Sequence, residues 1–351
     1  MRQFFKSRTL IIITGLAIGV LAALLSYFGN PLNGGIAATC FIRDTAGGLG
    51  FHRGLGFQYI RPEIIGLVLG SFIAAIIFRE FRSRGGSSPI IRFLLAVCLM
   101  MGALTFLGCP VRAVIRLAGG DLNAVTGIAG LIVGILIGIV FFKRGHDLSR
   151  TTRLNVSAGL IAPVAMVILL VLVIVGPQFI FFSEVGWASE HAALGLSLGA
   201  GLIVGFLGQR TRICFMGAWR DLFLVRNTYL LTGLIAAFIG ALVLNMFLGQ
   251  FHVGFEGQPM ALNNQLWNFF GMVLVGLAAV MLGACPMRQL ILTGEGDTDA
   301  TVTVLGLFAG GALARNFLLS SCDGELAEMG PVAVIIGLVV CITIGLFVKE
   351  K

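Results

Sequence analysis

A chain of 351 residues that is 58% hydrophobic and only 11% charged lies far below the roughly 25% charged residues of ordinary globular domains. Its apolar runs repeatedly reach the ~20 residues needed to cross a hydrocarbon core, which excludes a soluble domain. The net charge of +8 is a topology signal, because cytoplasmic flanks of membrane spans collect Lys and Arg; it does not point to nucleic acid.

In chain order, the hydropathy pattern predicts ten spans, at about 9–28, 61–79, 90–108, 122–142, 155–182, 191–208, 228–249, 266–284, 299–321 and 331–348. The start, MRQFFKSR followed by a long apolar run, mimics a signal peptide. The run is too long for a usual h-region and lacks a small-x-small cleavage site, so it reads as a retained first helix. Basic residues cluster at Arg2/Lys6/Arg8, Arg79/Arg82/Arg84/Arg92, Lys143/Arg144/Arg150/Arg153, Arg210/Arg212/Arg220/Arg226 and Lys349/Lys351. Ten spans put all five clusters on one side, which predicts that both termini are cytoplasmic. Glycine contributes 49 residues, many at small-xxx-small spacing such as Gly130/Gly134/Gly138, the pattern of close helix packing in lipid.

The phrase CPVRAVIRLAGGD at 109–121 recurs as CPMRQLILTGEGD at 285–297. It aligns Cys109 with Cys285, Arg112 with Arg288 and Asp121 with Asp297, each 176 residues apart. CFIRD from Cys40 likewise matches CFMGAWRD from Cys214, 174 residues on. An offset of half the chain implies two copies of one unit. Five spans per copy is an odd number, so the second copy enters the membrane inverted, the common architecture of secondary transporters. The expected fold is therefore all-α: a polytopic integral membrane protein of about ten spans, built as two inverted five-helix repeats with short re-entrant helices. Residues 1–154 form the first repeat, 155–182 its connecting fifth helix, and 183–351 the second repeat.

Each copy interrupts its apolar sequence twice, at PLNGGIAATCFIRD or GQRTRICFMGAWRD and at the Cys-Pro-x-Arg phrase. Such breaks are tolerated at membrane depth where they line a cavity. Proline suits the first helical turn, so Cys109-Pro110 and Cys285-Pro286 read as N-cap and N1 of short helices. Their amino ends offer free N–H groups and a positive dipole, which suit an anion and raise the thiolate character of a cysteine. Cys109 and Cys285 are expected to face each other across a shared pathway.

Cys98 and Cys341 read as small apolar filler, and Cys322 divides evenly between incidental and functional. Packing alone does not readily place Cys40, Cys109, Cys214 and Cys285 at matched positions. Arg43, Arg112, Arg116, Arg220 and Arg288 divide between interfacial snorkelling and anion attraction, and the RD dipeptides Arg43-Asp44 and Arg220-Asp221 read as structural pairs. Arg315, deep in the ninth span, is a functional or helix-pairing candidate by default. No His or Cys spacing suits a metal, and no phosphate loop, dinucleotide fingerprint or Cys-x-x-Cys occurs, so neither metal, cofactor nor catalysis is expected.

At these residues the chain resembles the YeeE/YedE family of bacterial inner-membrane sulfur-transport proteins, over essentially its whole length. ICFMGAWRD (213–221), LGCPVR (107–112) and LGACPMR (282–288) look like the family's cysteine signatures. GNPLNGGIAATCFIRDTAGGLGFHR (29–53), QYIRPEIIGLVLGSFIAA (58–75) and RGGSSPIIRF (84–93) look like its branch described as selenium transporters. The resemblance implies a permease for a small selenium or sulfur species. A selenium compound is the first expectation and thiosulfate the alternative, passed along Cys40, Cys109 and Cys285 with Cys214 as the symmetric fourth. Arg43, Arg112, Arg220 and Arg288 complete the expected pathway. A cytoplasmic sulfur- or selenium-carrier protein is a compatible partner; a membrane thiol enzyme and a non-transporting sensor are the competing classes.

Overall fold

The computed structural model describes residues 8–146, 148, 152–321 and 324–348. Arg2, Lys6, Arg150, Cys322, Lys349 and Lys351 lie outside the described residues. The first half contains α1 (Arg8–Tyr27), α2 (Ala38–Gly48), α3 (Pro62–Ile77), α4 (Pro89–Phe106), α5 (Pro110–Ala118), α6 (Asn123–Lys143) and α7 (Val156–Val175). The second contains α8 (Leu194–Thr211), α9 (Phe215–Val225), α10 (Tyr229–Phe247), α11 (Gln265–Leu282), α12 (Pro286–Gly294), α13 (Thr298–Asn316) and α14 (Gly330–Phe347). Two-residue strands β1 (Arg84–Gly85) and β2 (Thr152–Arg153) pair antiparallel beside α13.

The ten longer helices coincide with the ten expected spans, and the four short ones begin within two residues of the four repeated cysteines. Seven stretches among the described residues are long and apolar enough to cross a membrane; two of them join α4 to α5 and α11 to α12. This is an all-α polytopic membrane protein.

Two boundaries differ from expectation. The fifth span was expected to reach 182, but α7 stops at Val175 because Gly176 turns left-handed (φ 58°) and Pro177 follows, a glycine stop that a following proline reinforces. The ninth was expected to reach 321, but α13 ends at Asn316, whose amide donates to the Phe51 carbonyl. Arg315 therefore sits in the last turn of its helix, half-buried, rather than deep in the span.

Four helix pairs, each joining the two halves, hold the core: α1 on α10, α3 on α8, α6 on α11 and α4 on α13. Their glycines explain the close approach. A Cβ at Gly15, Gly70, Gly134 or Gly205 would stand 2.0–2.2 Å from a carbonyl oxygen of the facing helix, well inside contact distance. Dispersion between backbones is available only where no side chain intervenes. The register of these contacts makes each pair parallel: Gly15 meets Gly233 and Gly19 meets Ala237, while Gly66 meets Gly201 and Gly70 meets Leu202. At the start of α3, buried Glu63 accepts from Asn30 Nδ2 (2.7 Å) and Ser197 Oγ (2.9 Å), fastening α3 to α8.

The last helix of each half is placed differently. α7 lies on α3, α12 and α13, whereas α14 lies on α4, α11 and α6. Between α14 and α4, Cys341 and Cys98 form a thiol–thiol contact.

Following the helices along the chain separates two ends. The α1 start, the α11 end and the β1–β2 ribbon belong to one, called here the terminal end. The loops 49–61 and 177–193 belong to the other, the loop end.

Candidate functional site

Cys109 is the N-cap of α5 with extended backbone (φ −94°, ψ 175°) and Pro110 is N1; Cys285 and Pro286 stand identically before α12. Proline's missing N–H and fixed φ begin each short helix without loss. The turn into each motif is left-handed, at Leu107 (φ 62°) before α5 and at Gly283 (φ 85°) before α12. Glycine adopts this conformation freely; leucine does so at a cost of about 1–2 kcal/mol, a strained residue two positions from a site cysteine. Cys214 is the N-cap of α9, its sulfur accepting from Gly217 N at 3.3 Å. Cys40 lies in the first turn of α2.

These starts converge in two pairs. Toward the loop end, Cys40 and Cys109 are neighbours, both fully buried. Backbone N–H groups of Thr39, Val111 and Arg112 reach the Cys109 sulfur, so the amino ends of α2 and α5 share one focus. Toward the terminal end, Cys285 N donates to Cys214 Sγ at 3.4 Å, and the amino ends of α9 and α12 meet in the same manner. The immediate neighbours thus lie within each half.

The surroundings of the two pairs differ. Arg112 is fully buried and, among the described residues, has no carboxylate within ion-pair distance. Its donors go to the carbonyls of Asn33 (3.1 Å), Met260 (3.3 Å) and Leu107, and to Cys40 Sγ at 3.8 Å; its plane lies 4.5 Å from the Trp187 ring. A charge held only by dipoles and an aromatic face keeps attraction for an anion. The matched Arg288 instead pairs with Glu295 at 2.9 Å and donates to the Gly208 carbonyl.

The RD dipeptides pair internally in both copies, Arg43 to Asp44 at 2.7 Å and Arg220 to Asp221 at 2.9 Å. Asp44 is also capped by Arg61 Nε (3.0 Å) and Trp187 Nε1 (3.1 Å), with all three charged residues fully buried. Arg220 and Asp221 remain partly exposed and line a cavity of about 360 Å³ with Arg92, His146, Leu282 and Gly283. Its wall includes Gly283, two residues before Cys285. All four cysteines are buried, and the cavity lies on the side of the second pair.

The cover over the first pair includes His52. Its Nδ1 accepts from Gly54 N (3.2 Å) and its Nε2–H donates to the Arg43 carbonyl (3.0 Å), which fixes a neutral tautomer. Burial pushes its pKa below the ordinary value; the Arg43 carbonyl opposes this, and the charges of Arg43 and Arg315 add to it. Arg315 stacks on Phe57 at 3.6 Å, opposite Arg43 at 4.2 Å. Arg61, Trp187, His52 and Thr39 carry no repeat signal and were absent from the sequence reading. Trp187 reaches Asp44 across 143 positions, a contact that no local pattern encodes.

Residues 210–348, which contain the second cysteine pair, match the family described as Sulphur transport. The thiosulfate transporter TsuA of Spirochaeta thermophila is 36% identical over 109 residues, covering 30% of this chain and 32% of the relative. The likeness to this sulphur-transport family thus covers the second half of the chain, with the second cysteine pair inside it. It aligns with about a third of the length of the curated relative.

Proposed function

We propose that the protein is a multi-pass permease of the bacterial inner membrane for a small chalcogen anion, with thiosulfate the favoured substrate. The anion passes along Cys40 and Cys109 to Cys285 and Cys214. The family match over residues 210–348 supports a sulfur species, and the TsuA likeness favours thiosulfate over the selenium compound first expected. The single observation that carries the route is Arg112, a buried guanidinium without a carboxylate beside two thiols at convergent helix starts. Moving a dianion through hydrocarbon is prohibitive without compensating charge or dipoles; helix amino ends and Arg112 supply both. Thiols add weak contacts to the soft sulfur, and several weak sites allow departure as well as entry.

In this reading the halves 1–182 and 183–351 are inverted repeats, both termini are cytoplasmic, and the open cavity at Arg220 is the cytoplasmic mouth. A sulfur-carrier protein is the natural acceptor there. The test is uptake by proteoliposomes of labelled thiosulfate, selenite, selenate, sulfite and sulfate. Thiosulfate is expected to enter fastest, and Cys109→Ala or Cys285→Ala to lower its flux about tenfold, the scale of one lost hydrogen-bond-sized contact. Undiminished flux in both variants removes the cysteines from the route, and absence of flux for every anion removes the permease.

A further inference from the structure

The Thr39 hydroxyl is buried with no hydrogen-bond partner among the described residues, and the residue is 0% exposed. A buried hydroxyl without a partner costs about 1–3 kcal/mol, so this group calls for an explanation. It stands in the first turn of α2, one residue before Cys40, and its own backbone N–H reaches the Cys109 sulfur. Arg112 lies across the same site with its Nη1 3.8 Å from Cys40 Sγ. The matched residue before Cys214 is Ile213, which is buried and carries no donor. A hydroxyl at this position is therefore not required to build a cysteine-headed helix start.

We infer that Thr39 Oγ1, with Arg112, forms an oxyanion subsite beside the Cys40 and Cys109 thiols. The first pair then recognises an anion with two unlike ends. A soft terminal chalcogen meets the thiols, while oxygen atoms accept from the Thr39 hydroxyl and the Arg112 guanidinium. The substrate class is a chalcogen oxyanion such as thiosulfate or selenosulfate, and an oxygen-free hydrochalcogenide fills only half the site. The second pair, with Ile213 and a neutralised Arg288, lacks the oxyanion half. Recognition occurs at the first pair and onward passage at the second. This rests on the permease reading above and adds to it a specificity-determining side chain.

Calorimetric binding of thiosulfate and of hydrosulfide to the detergent-purified full chain tests it, with wild-type thiosulfate flux measured in parallel. Thr39→Val keeps the side-chain shape and removes the hydroxyl. Thiosulfate affinity is expected to fall tenfold or more, the scale of a hydrogen bond to a charged ligand, with hydrosulfide affinity changing less than about twofold. Thr39→Ser restores the hydroxyl and the thiosulfate affinity. Equal weakening of both ligands, or of neither, overturns the subsite while wild-type flux leaves the permease standing. Lack of wild-type binding and flux removes both. If Thr39→Val does not fold, Thr39→Ala against Thr39→Ser reads the same affinity ratio, and an unchanged ratio overturns the proposal.

Discussion

The two cysteine pairs begin from nearly the same phrase and end in different electrostatic settings. At the first, Arg112 is buried without a counterion among the described residues, and the neighbouring Asp44 is sealed by Arg43, Arg61 and Trp187. At the second, Arg288 is neutralised by Glu295, and Arg220–Asp221 lines an open cavity. The decisive difference is one position in the repeated phrase: Glu295 of TGEGD aligns with Gly119 of AGGD. A carboxylate present in one copy and absent from the other turns a structural guanidinium into one available to an anion.

The sharpest way to break this contrast is to remove each arginine. Arg112→Met is expected to lower thiosulfate affinity by about ten- to a hundredfold, since a charge-assisted hydrogen bond contributes ~1.5–3 kcal/mol, with little loss of thermal stability. Arg288→Met leaves the half-buried Glu295 with Arg84 alone, at 3.6 Å, and is expected to cost about 1–3 kcal/mol of stability, largely recovered by adding Glu295→Gln. Melting curves beside binding isotherms separate the two. Equal behaviour of the two arginines removes the distinction.

Trp187 covers only the first pair, donating to Asp44 and facing Arg112. Trp187→Ala is expected to raise the rate at which a membrane-impermeant thiol reagent modifies Cys40 and Cys109 by about tenfold. This corresponds to the ~1.4 kcal/mol scale of one hydrogen bond or cation–π contact. Modification of Cys214 and Cys285 should not change. Mass spectrometry of the labelled peptides reads both, and equal labelling with and without the indole dismisses the cover.

A smaller effect belongs to His52 in that cover. Its folded pKa is depressed by burial, so the unfolded chain binds its proton more readily and stability rises with pH. The contribution is complete above the unfolded histidine value of about 6.5 and is lost as pH falls through the lower folded value. Melting temperature between pH 7.5 and 5 should fall more in the wild type than in His52→Gln; parallel curves exclude the histidine.

Much of this was legible in the chain. Apolar runs near span length placed the ten long helices, because the bilayer fixes that length. Cys-Pro marked the starts of α5 and α12 because proline fits only the first turn without loss. The repeated phrase also brought Arg112 and Arg288 forward together, yet their unlike partners depend on Glu295 against Gly119, a difference whose meaning appears only when the side chains are placed. Thr39, Arg61 and Trp187 were illegible for a related reason. Arg61 and Trp187 take their roles from long-range contacts between the loop 177–193 and the Asp44 cluster, and a single Thr or Trp in apolar sequence has no periodicity to expose it. The stops at Gly176 and Asn316 were missed because hydropathy continues past them, whereas backbone conformation does not.

Anomalous diffraction at the selenium edge from crystals holding selenosulfate tests the inequality of the two pairs most directly. The strongest selenium peak is predicted beside Cys40 and Cys109, with the oxygen atoms toward Thr39 and Arg112. A peak confined to Cys214 and Cys285 would contradict the account.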